Sequence, residues 1–153
     1  MSAIQYHQFE GQPNQQALEW LVQINQHIFG FNETADGLSS LFAKHPAVLI
    51  CIACQDNKPV GFKAGFEDQP YSFESWRGGV LPAARRQGIA LELMRLQHHW
   101  CQNNGFRVIK TTTNSTNSAM LILNLMSGFE IVGCFVNHRK ILKVLQEKRI
   151  TTN

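Results

Sequence analysis

The chain has 153 residues, which is enough for one domain with a hydrophobic core but short for two such domains. Hydrophobic residues make up 44% and charged residues 16%, which excludes a disordered chain, and the net charge of +3 is too mild for a nucleic-acid binder. No apolar run approaches the roughly 20 residues that span a bilayer, and residues 1–10 lack the apolar stretch of a signal peptide. We therefore expect one cytoplasmic domain over residues 1–153, with no nucleic-acid or membrane partner.

The first half of the chain predicts two helices and then three strands. Apolar residues at helical spacing run from Asn14 to Gly30, and Pro46 ends a second helix over residues 34–45. Short turns, one of them at residues 56–59, separate the strands that follow, so we expect an antiparallel meander. Its strands cover residues 47–55, 60–67 and 73–81.

The second half alternates helices with strands. Gly105 and Gly128 mark the ends of two predicted helices. Runs of residues that favour β-strands lie between these helices and after the second one. The order ααβββαβαββ therefore predicts an α/β fold with a mixed sheet and helices on both faces. The helices cover residues 88–104 and 118–127, and the strands cover residues 107–113, 129–136 and 140–145.

The cysteines and histidines show no ligand pattern. Cys51 and Cys54 are spelled C-x-x-C, but they lie on a predicted strand, where residues three apart point to opposite faces. We expect buried, inert thiols rather than a zinc or redox site. His98 and His99 are adjacent on a predicted helix, and we expect both at the surface or rim. No metal is predicted.

The loop between the third strand and the following helix predicts an anion site. Residues 77–95 hold four arginines and one glutamate, a local charge of +3. The first turn of a helix leaves backbone N–H groups free at the positive end of the helix dipole. Gly88 permits close approach of a phosphate, and Arg85 and Arg86 add positive charge. A plain strand-to-helix turn with basic residues for solubility is the alternative.

The same segment resembles the acetyl-CoA signature of the GNAT superfamily of N-acetyltransferases, V-x-P-x-x-R-x-x-G-[IV]-[GA]. The matching residues are Val80, Pro82, Arg85, Gly88, Ile89 and Ala90. A weaker family pattern, N-x-x-A-x-x-L-Y-x-x-x-G-F, matches at Asn117, Leu123, Gly128 and Phe129. The resemblance implies the GNAT fold and transfer of an acetyl group from acetyl-CoA to an amine.

The resemblance also implies a set of cofactor-binding residues. The N–H groups of residues 86–90 are expected to hold the pyrophosphate, and the backbone at the end of the third strand is expected to pair with the pantetheine arm. Asn117 is expected to bond the arm from the other side, to act as a helix N-cap, or both. The predicted contacts are Gly79, Val80, Leu81, Arg85, Arg86, Gln87, Gly88, Ile89, Ala90 and Asn117.

Two carboxylates are candidates for the general base, which the reaction needs because only a neutral amine attacks a thioester. Glu74 lies six residues before Val80, the offset at which some family members carry a glutamate base. Glu67, at the end of the preceding strand, is expected to reach the same cleft. Solvated strand-end carboxylates remain the alternative for both.

The general acid is where the sequence departs from the family. The tyrosine of the family pattern falls at Asn124, which cannot supply a proton. Water, another residue such as Tyr71 near the expected cleft mouth, or unaided departure of the thiolate are the alternatives. The missing tyrosine also leaves open an acetyl-CoA-binding module without turnover. A different α/β protein that binds another phosphate ligand is a third hypothesis.

The acceptor is the least specified part of the prediction. Phe31, Phe66 and Trp76 are expected to line its site, although aromatic residues are more often plain core. We expect a primary amine of a small molecule or a peptide. The sequence leaves open the identity of that amine and the oligomeric state, including a homodimer.

Overall fold

A computed structural model describes residues 2–151. Within this range the chain forms a mixed sheet with helices between its strands, and a short 3₁₀ turn, Pro82–Ala84, precedes the third helix. The elements are β1 (Gln5–Glu10), α1 (Gln15–Phe29), α2 (Ala35–Ala43), β2 (Leu49–Gln55), β3 (Lys58–Gln69), β4 (Ser72–Val80), α3 (Ile89–Asn103), β5 (Val108–Asn114), α4 (Ser118–Met126), β6 (Glu130–Val136) and β7 (Leu142–Arg149).

All these strands join one sheet in the order β1-β2-β3-β4-β5-β7-β6. The predicted meander of β2, β3 and β4 is present, and every neighbouring pair is antiparallel except β4 and β5, which run parallel. The parallel pair arises because α3 crosses from the end of β4 back to the start of β5. The mixed α/β fold is confirmed.

The sheet separates two hydrophobic cores. Helices α1 and α2 bury Leu21, Ile24 and Phe42 against one face, and α3 buries Leu93 against the other. On β2, Ile50 and Ile52 face the α1–α2 core, and their neighbours in sequence face the α3 core. Both faces of β2 are therefore covered, which explains its continuous apolar run.

The two cysteines of the C-x-x-C spelling lie in different cores, as predicted. Cys51 packs on the α3 side and Cys54 on the α1–α2 side, and both thiols are free and buried. Burial raises the pKa of Cys51 to about 12 and also raises that of Cys54. The two thiols are thus separated by the sheet and remain protonated at neutral pH.

Polar capping residues fix the helix ends near the predicted places. The Asn14 side chain accepts a hydrogen bond from the N–H of Ala17 at 2.9 Å at the start of α1, and Gly30 ends that helix in the left-handed conformation. Asn117 caps α4 by accepting from the N–H of Met120 at 3.3 Å. The N-cap role of Asn117 is therefore confirmed.

The predicted element order was one strand short. The segment Gln5–Glu10 pairs with β2 along its whole length, and it was missed because its apolar residues, Tyr6 and Phe9, do not alternate cleanly. It is an edge strand whose exposed residues, Gln5, Gln8 and Glu10, are polar, so it needs no apolar run. The last strand also extends to Arg149, beyond the predicted end at residue 145.

No helix within residues 2–151 is long and apolar enough to cross a membrane.

Candidate active site

The sheet opens between its two parallel strands. β4 pairs with β5 only from Ser72 to Ser75, whose partners are Val108 to Thr111. Beyond that point β4 continues to pair with β3 as far as Val80, and β5 continues with β7 as far as Asn114. The two strands therefore diverge, and the last residues of β4 have no strand on their β5 side within the described chain.

An irregularity in β4 lies at the start of this opening. Gly65 pairs with Ser75 and Ala64 pairs with Arg77, so Trp76 is an extra residue on β4, as in a β-bulge. Trp76 packs against the α1–α2 core and Arg77 also bonds to α1, so both side chains lie on that face. A bulge bends its strand, and the pairing of β4 with β5 ends here, at Ser75.

A cavity of about 480 Å³ occupies the opening. Its walls come from the end of α1, from β3 and β4, from the start of α3 and from α4, and most of them are apolar. Gly78 and Gly79 leave the floor without side chains. A Cβ on Gly79 would lie 3.1 Å from Ile28 Cδ1, so the end of α1 packs closely there.

The loop that leads into α3 forms one end of this cavity. Arg86 and Gly88 both have positive φ, at 66° and 74°, and α3 begins without a side-chain cap. Successive turns of this kind point backbone N–H groups into one concave surface that suits an anion. Arg85 and Arg86 are exposed beside it, and the Arg85 Nε donates to the Val80 carbonyl at 3.3 Å.

The structure brings most of the predicted cofactor contacts together around this cavity. Two of them lie in the same segment but do not line it. The Leu81 N–H donates to the Val60 carbonyl, and the Gln87 side chain donates to the Ala84 carbonyl. The others line the cavity: Gly79, Val80, Arg85, Arg86, Gly88, Ile89, Ala90 and Asn117.

Lys63 is a lining residue that the sequence analysis missed. It lies on β3 opposite Gly78, and a Cβ on Gly78 would be 3.4 Å from Lys63 Cγ. Its ammonium forms no ion pair or hydrogen bond among residues 2–151. Desolvation lowers the pKa of Lys63 to about 8, against a smaller opposite effect of Cys51. A lysine that alternates with apolar residues on a strand is ordinarily read as solvent-facing.

Glu74 lies just before the strands diverge. It pairs with Phe66 on β3 and with Lys110 on β5, and Phe66 belongs to the α1–α2 core, so Glu74 faces that side of the sheet. Burial, reinforced by Asp68, raises the pKa of Glu74 to about 7, while Lys110 opposes the change. This carboxyl can therefore exchange a proton near neutral pH.

The expectation that Glu67 reaches the same cleft is wrong. Glu67 pairs with Phe73, which belongs to the α3 core, so it lies on the opposite face of the sheet from Glu74. It borders a separate depression together with Tyr71 and Trp100. Tyr71 was expected near the cleft mouth. Its ring instead stacks against the Arg107 guanidinium, whose Cζ lies 4.4 Å from the centre of the Tyr71 ring.

Asn124 has a structural contact of its own. It is buried, and its side-chain amide donates to Gln146 Oε1 on β7 at 2.9 Å. Gln146 in turn donates to the Leu121 carbonyl at 3.3 Å. Asn124 does not line the cavity, and it ties α4 to β7.

The predicted acceptor residues form a chain of contacts on the α1–α2 side, with Phe66 beside Trp76 and Arg77 between Trp76 and Phe31. The Arg77 guanidinium lies 4.0 Å from the Trp76 ring centre and 4.8 Å from that of Phe31. It also forms an ion pair with Glu33 at 2.9 Å. Phe66 is buried, stacks on His45 at 3.6 Å and lies 6.3 Å from Trp76.

The two adjacent histidines of α3 differ in their surroundings. His99 is exposed, as expected, but His98 is largely buried and its Nδ1 lies 3.1 Å from Lys148 Nζ. Burial, with the nearby charges of Lys148 and Lys63, lowers the pKa of His98 to about 3. Among residues 2–151, no three His, Cys, Asp or Glu side chains are grouped so that they could hold a metal ion.

Comparison with known proteins gives one family. A family model described as "Acetyltransferase (GNAT) family" matches residues 14–123. The aminoglycoside N(6')-acetyltransferase type 1 of Klebsiella aerogenes is 35% identical over 115 residues, which cover 68% of this chain and 74% of that protein.

Solved structures share the fold at low sequence identity. The ribosomal-protein-S18-alanine N-acetyltransferase of Escherichia coli superposes with a TM-score of 0.78 at 14% identity, over 96% of both chains. A Bacillus anthracis protein crystallised with acetyl coenzyme A superposes with a TM-score of 0.63 at 18% identity, over 69% of this chain and 64% of that one.

Proposed function

Because the chain belongs to the acetyltransferase (GNAT) family, we propose that it transfers the acetyl group of acetyl-CoA to a primary amine of a small molecule or a peptide. It is an acyl-CoA-dependent N-acetyltransferase.

The observation that carries this proposal is the opening between β4 and β5, with an anion-binding loop at one end. The backbone N–H groups of residues 86–90 would hold the pyrophosphate, with charge from Arg85 and Arg86. The free edge of β4 at Gly79 and Val80 would bond the amides of the pantetheine arm like an added strand. The apolar walls suit that arm, and the bound donor supplies an acetyl thioester.

Glu74 is the proposed general base. It lies beside the point where the strands part, and its pKa of about 7 lets it accept a proton from an ammonium group and release it again. Its carboxyl takes that proton directly or through a water, which leaves the amine neutral for attack on the thioester carbonyl. Glu67 borders a separate depression with Tyr71 and Trp100 and is not part of this proposal.

Two acidic side chains on the α1–α2 side are already paired with basic residues, which makes them poor anchors for a polycation. Glu33 is paired with Arg77 at 2.9 Å and Asp68 with Lys110 at 3.3 Å, so neither is a free anion for a polycation. Phe31 and Trp76, which hold Arg77 between them, would border the acceptor. The relative from Klebsiella aerogenes is named for an aminoglycoside, so aminoglycosides belong among the compounds tested.

We propose that the enzyme is cytoplasmic and that it forms a homodimer joined through β6. This strand is the last of the sheet, so one of its edges is open, and its apolar side chains are exposed, Ile131 at 57% and Val136 at 60%. Met126 on the adjoining α4 is 82% exposed. Two copies of an open, apolar edge strand can pair about a two-fold axis. Sedimentation should show a dimer that Ile131→Lys dissociates and Tyr71→Gln leaves intact.

The proposed function is tested by incubating the enzyme with acetyl-CoA and a panel of amines. The panel holds single-amine metabolites, peptides with free N-termini and aminoglycosides, and free thiol and acetylated product are both measured. We expect thiol release that depends on the amine and matches the product formed. If the protein binds acetyl-CoA but releases no thiol with any class of amine, the binding module without turnover is the better account.

A further inference from the structure

We propose that Lys63 is the general acid of this enzyme, donating the proton that the CoA thiolate takes up as it leaves. This inference rests on the proposed function, because it needs the thioester to lie in the opening between β4 and β5. It supplies the group that is missing where the family pattern has a tyrosine and this chain has Asn124.

The position of Lys63 is the first support. It pairs with Gly78, which follows the bulged part of β4, and it lines the cavity. Because Gly78 has no side chain, the stem of Lys63 lies over β4 at that point, with Cγ 3.4 Å from the place of a Cβ. A larger residue at position 78 would hold the lysine away from the opening.

The face of the sheet is the second support. Lys63 pairs with Cys51, which belongs to the α3 core, so the lysine lies on the α3 side. Leu123 of α4 packs on this same core, so α4 is also on that side. Glu74 faces the α1–α2 side. The proposed acid and base therefore lie on opposite faces of the sheet, with Lys63 lining the cavity and Glu74 just before the point where the strands part.

The surroundings leave Lys63 free to give its proton. It has no carboxylate partner among the described residues to hold the charged form. Cys51 stays protonated because burial raises its pKa to about 12, and His98 stays neutral because its pKa is lowered to about 3. The lysine pKa of about 8 keeps most of it charged at neutral pH and close to the thiol value of about 8.5.

The protons balance in one cycle. Glu74 removes one proton from the ammonium group of the acceptor, and the neutral nitrogen forms a bond to the acetyl carbon. The carbon–sulfur bond breaks with its electron pair on sulfur, which takes a proton from Lys63 Nζ. The nitrogen of the product loses its second proton to water, and Lys63 and Glu74 return to their starting states by exchange with solvent.

The first test needs no acceptor and no turnover. CoA is bound to the wild type and to Lys63→Met and Lys63→Arg, and the pKa of its thiol is measured from the ultraviolet absorbance of the thiolate. Because a nearby positive charge favours the thiolate, we expect that pKa to be lower in the wild type than in Lys63→Met by about one pH unit or more. Lys63→Arg should retain part of the effect, and Lys58→Met, an exposed lysine on the same strand, should retain all of it.

The second test uses the leaving group. Lys63→Met should lose about 100-fold in turnover with acetyl-CoA, the lower end for a lost proton transfer. It should lose far less with the selenium analogue of acetyl-CoA, because a selenol is a stronger acid and its anion leaves without a proton. Equal losses with both donors would overturn the inference, and so would acetylation of Lys63 during turnover, seen by mass spectrometry, because the lysine would then be a nucleophile.

Calorimetry of CoA binding separates this inference from the function beneath it. If the wild type does not bind CoA, both fail. If wild type and Lys63→Met bind CoA alike and the thiol has the same pKa in both, Lys63 is not the acid, while the proposed function stands.

Lys63→Met should remain folded and melt at a higher temperature at neutral pH, because it removes a desolvated charge.

Discussion

Lys63 lies across from Gly78 in the β3–β4 ladder, and its Cγ is 3.4 Å from the place that a Cβ would occupy on that glycine. A Cβ there would also be 3.1 Å from the Phe62 carbonyl oxygen, which is part of the rigid ladder. The glycine is therefore needed for close packing at the floor of the cavity.

Gly78→Ala should force a small shift between β3 and β4 beside Lys63, because the added Cβ would lie 3.1 Å from the Phe62 carbonyl oxygen. We expect turnover to fall by about 100-fold, the size of effect that a misplacement of about 1 Å produces. Steady-state rates and melting temperature measure the two effects separately. Gly133→Ala is the matched control, because a Cβ there meets only Leu145 Cδ1 at an ordinary 3.7 Å. Unchanged turnover in a folded Gly78→Ala would show that the lysine does not need this space.

Gly88→Asp should abolish CoA binding and leave the fold intact. The substitution puts a negative charge at the start of α3, where backbone N–H groups are proposed to hold a pyrophosphate. Gly105→Asp is the control, because that glycine also has positive φ and open space and lies just beyond the other end of α3. Calorimetry that finds the same CoA affinity in both variants would refute the role of the loop.

Arg85→Ala should weaken CoA binding about tenfold and flatten its dependence on salt, because an exposed contact to phosphate is screened by ions. Arg95→Ala is the control, since that exposed arginine is paired with Glu92 at 2.7 Å. Affinities for CoA and dephospho-CoA locate the contact. An equal loss for both places Arg85 on the pyrophosphate, and a loss confined to CoA places it on the 3′-phosphate.

Glu74→Gln should lower turnover by about 10²–10⁴-fold at neutral pH and leave CoA affinity unchanged. In the wild type we expect turnover to rise with pH through about 7, where this carboxyl loses its proton. The deficit of the variant should shrink at higher pH, because more of the amine is then neutral without help. Glu67→Gln, on the other face, is the control and should keep full activity. Full activity of both variants would mean that the enzyme has no carboxylate base.

The same substitution should change stability with pH in a defined direction. A carboxyl whose pKa is raised by folding favours the folded state below its unfolded value of 4.5, and this advantage is lost as the pH rises through about 7. Glu74→Gln should therefore stabilise the fold relative to the wild type at pH 8 and not at pH 4. Denaturant unfolding at both values measures the difference.

Local signals in the sequence predicted most of the fold and the position of the loop that we propose holds the cofactor. Asn14 and Asn117 cap the N-termini of helices, and Gly30 and Gly105 lie at helix C-termini. In each case one residue satisfies the backbone at the helix end, so the local sequence is enough to locate it. The loop before α3 is likewise a local pattern. The strand β1 was missed because an edge strand keeps only part of one face buried.

The rest depends on register and packing, which spacing does not determine. Glu67 and Glu74 both come near strand ends, but the pairing of β3 with β4 puts them on opposite faces. Lys63 looks solvent-facing on its strand, but it lies on the face of the sheet where the α3 core packs and it is desolvated there. Long-range pairing decided where each of these side chains lies.

Hydrogen exchange of the backbone, with and without CoA, tests the central claim most directly, which is that the opening between β4 and β5 holds the donor. We predict that CoA slows exchange in residues 76–80, along the free edge of β4, and in residues 86–90, at the start of α3. ATP at the same concentration should protect residues 76–80 far less, because it has no pantetheine arm. Exchange in both segments that CoA leaves unchanged, or protection confined to the depression around Glu67 and Tyr71, would contradict the account.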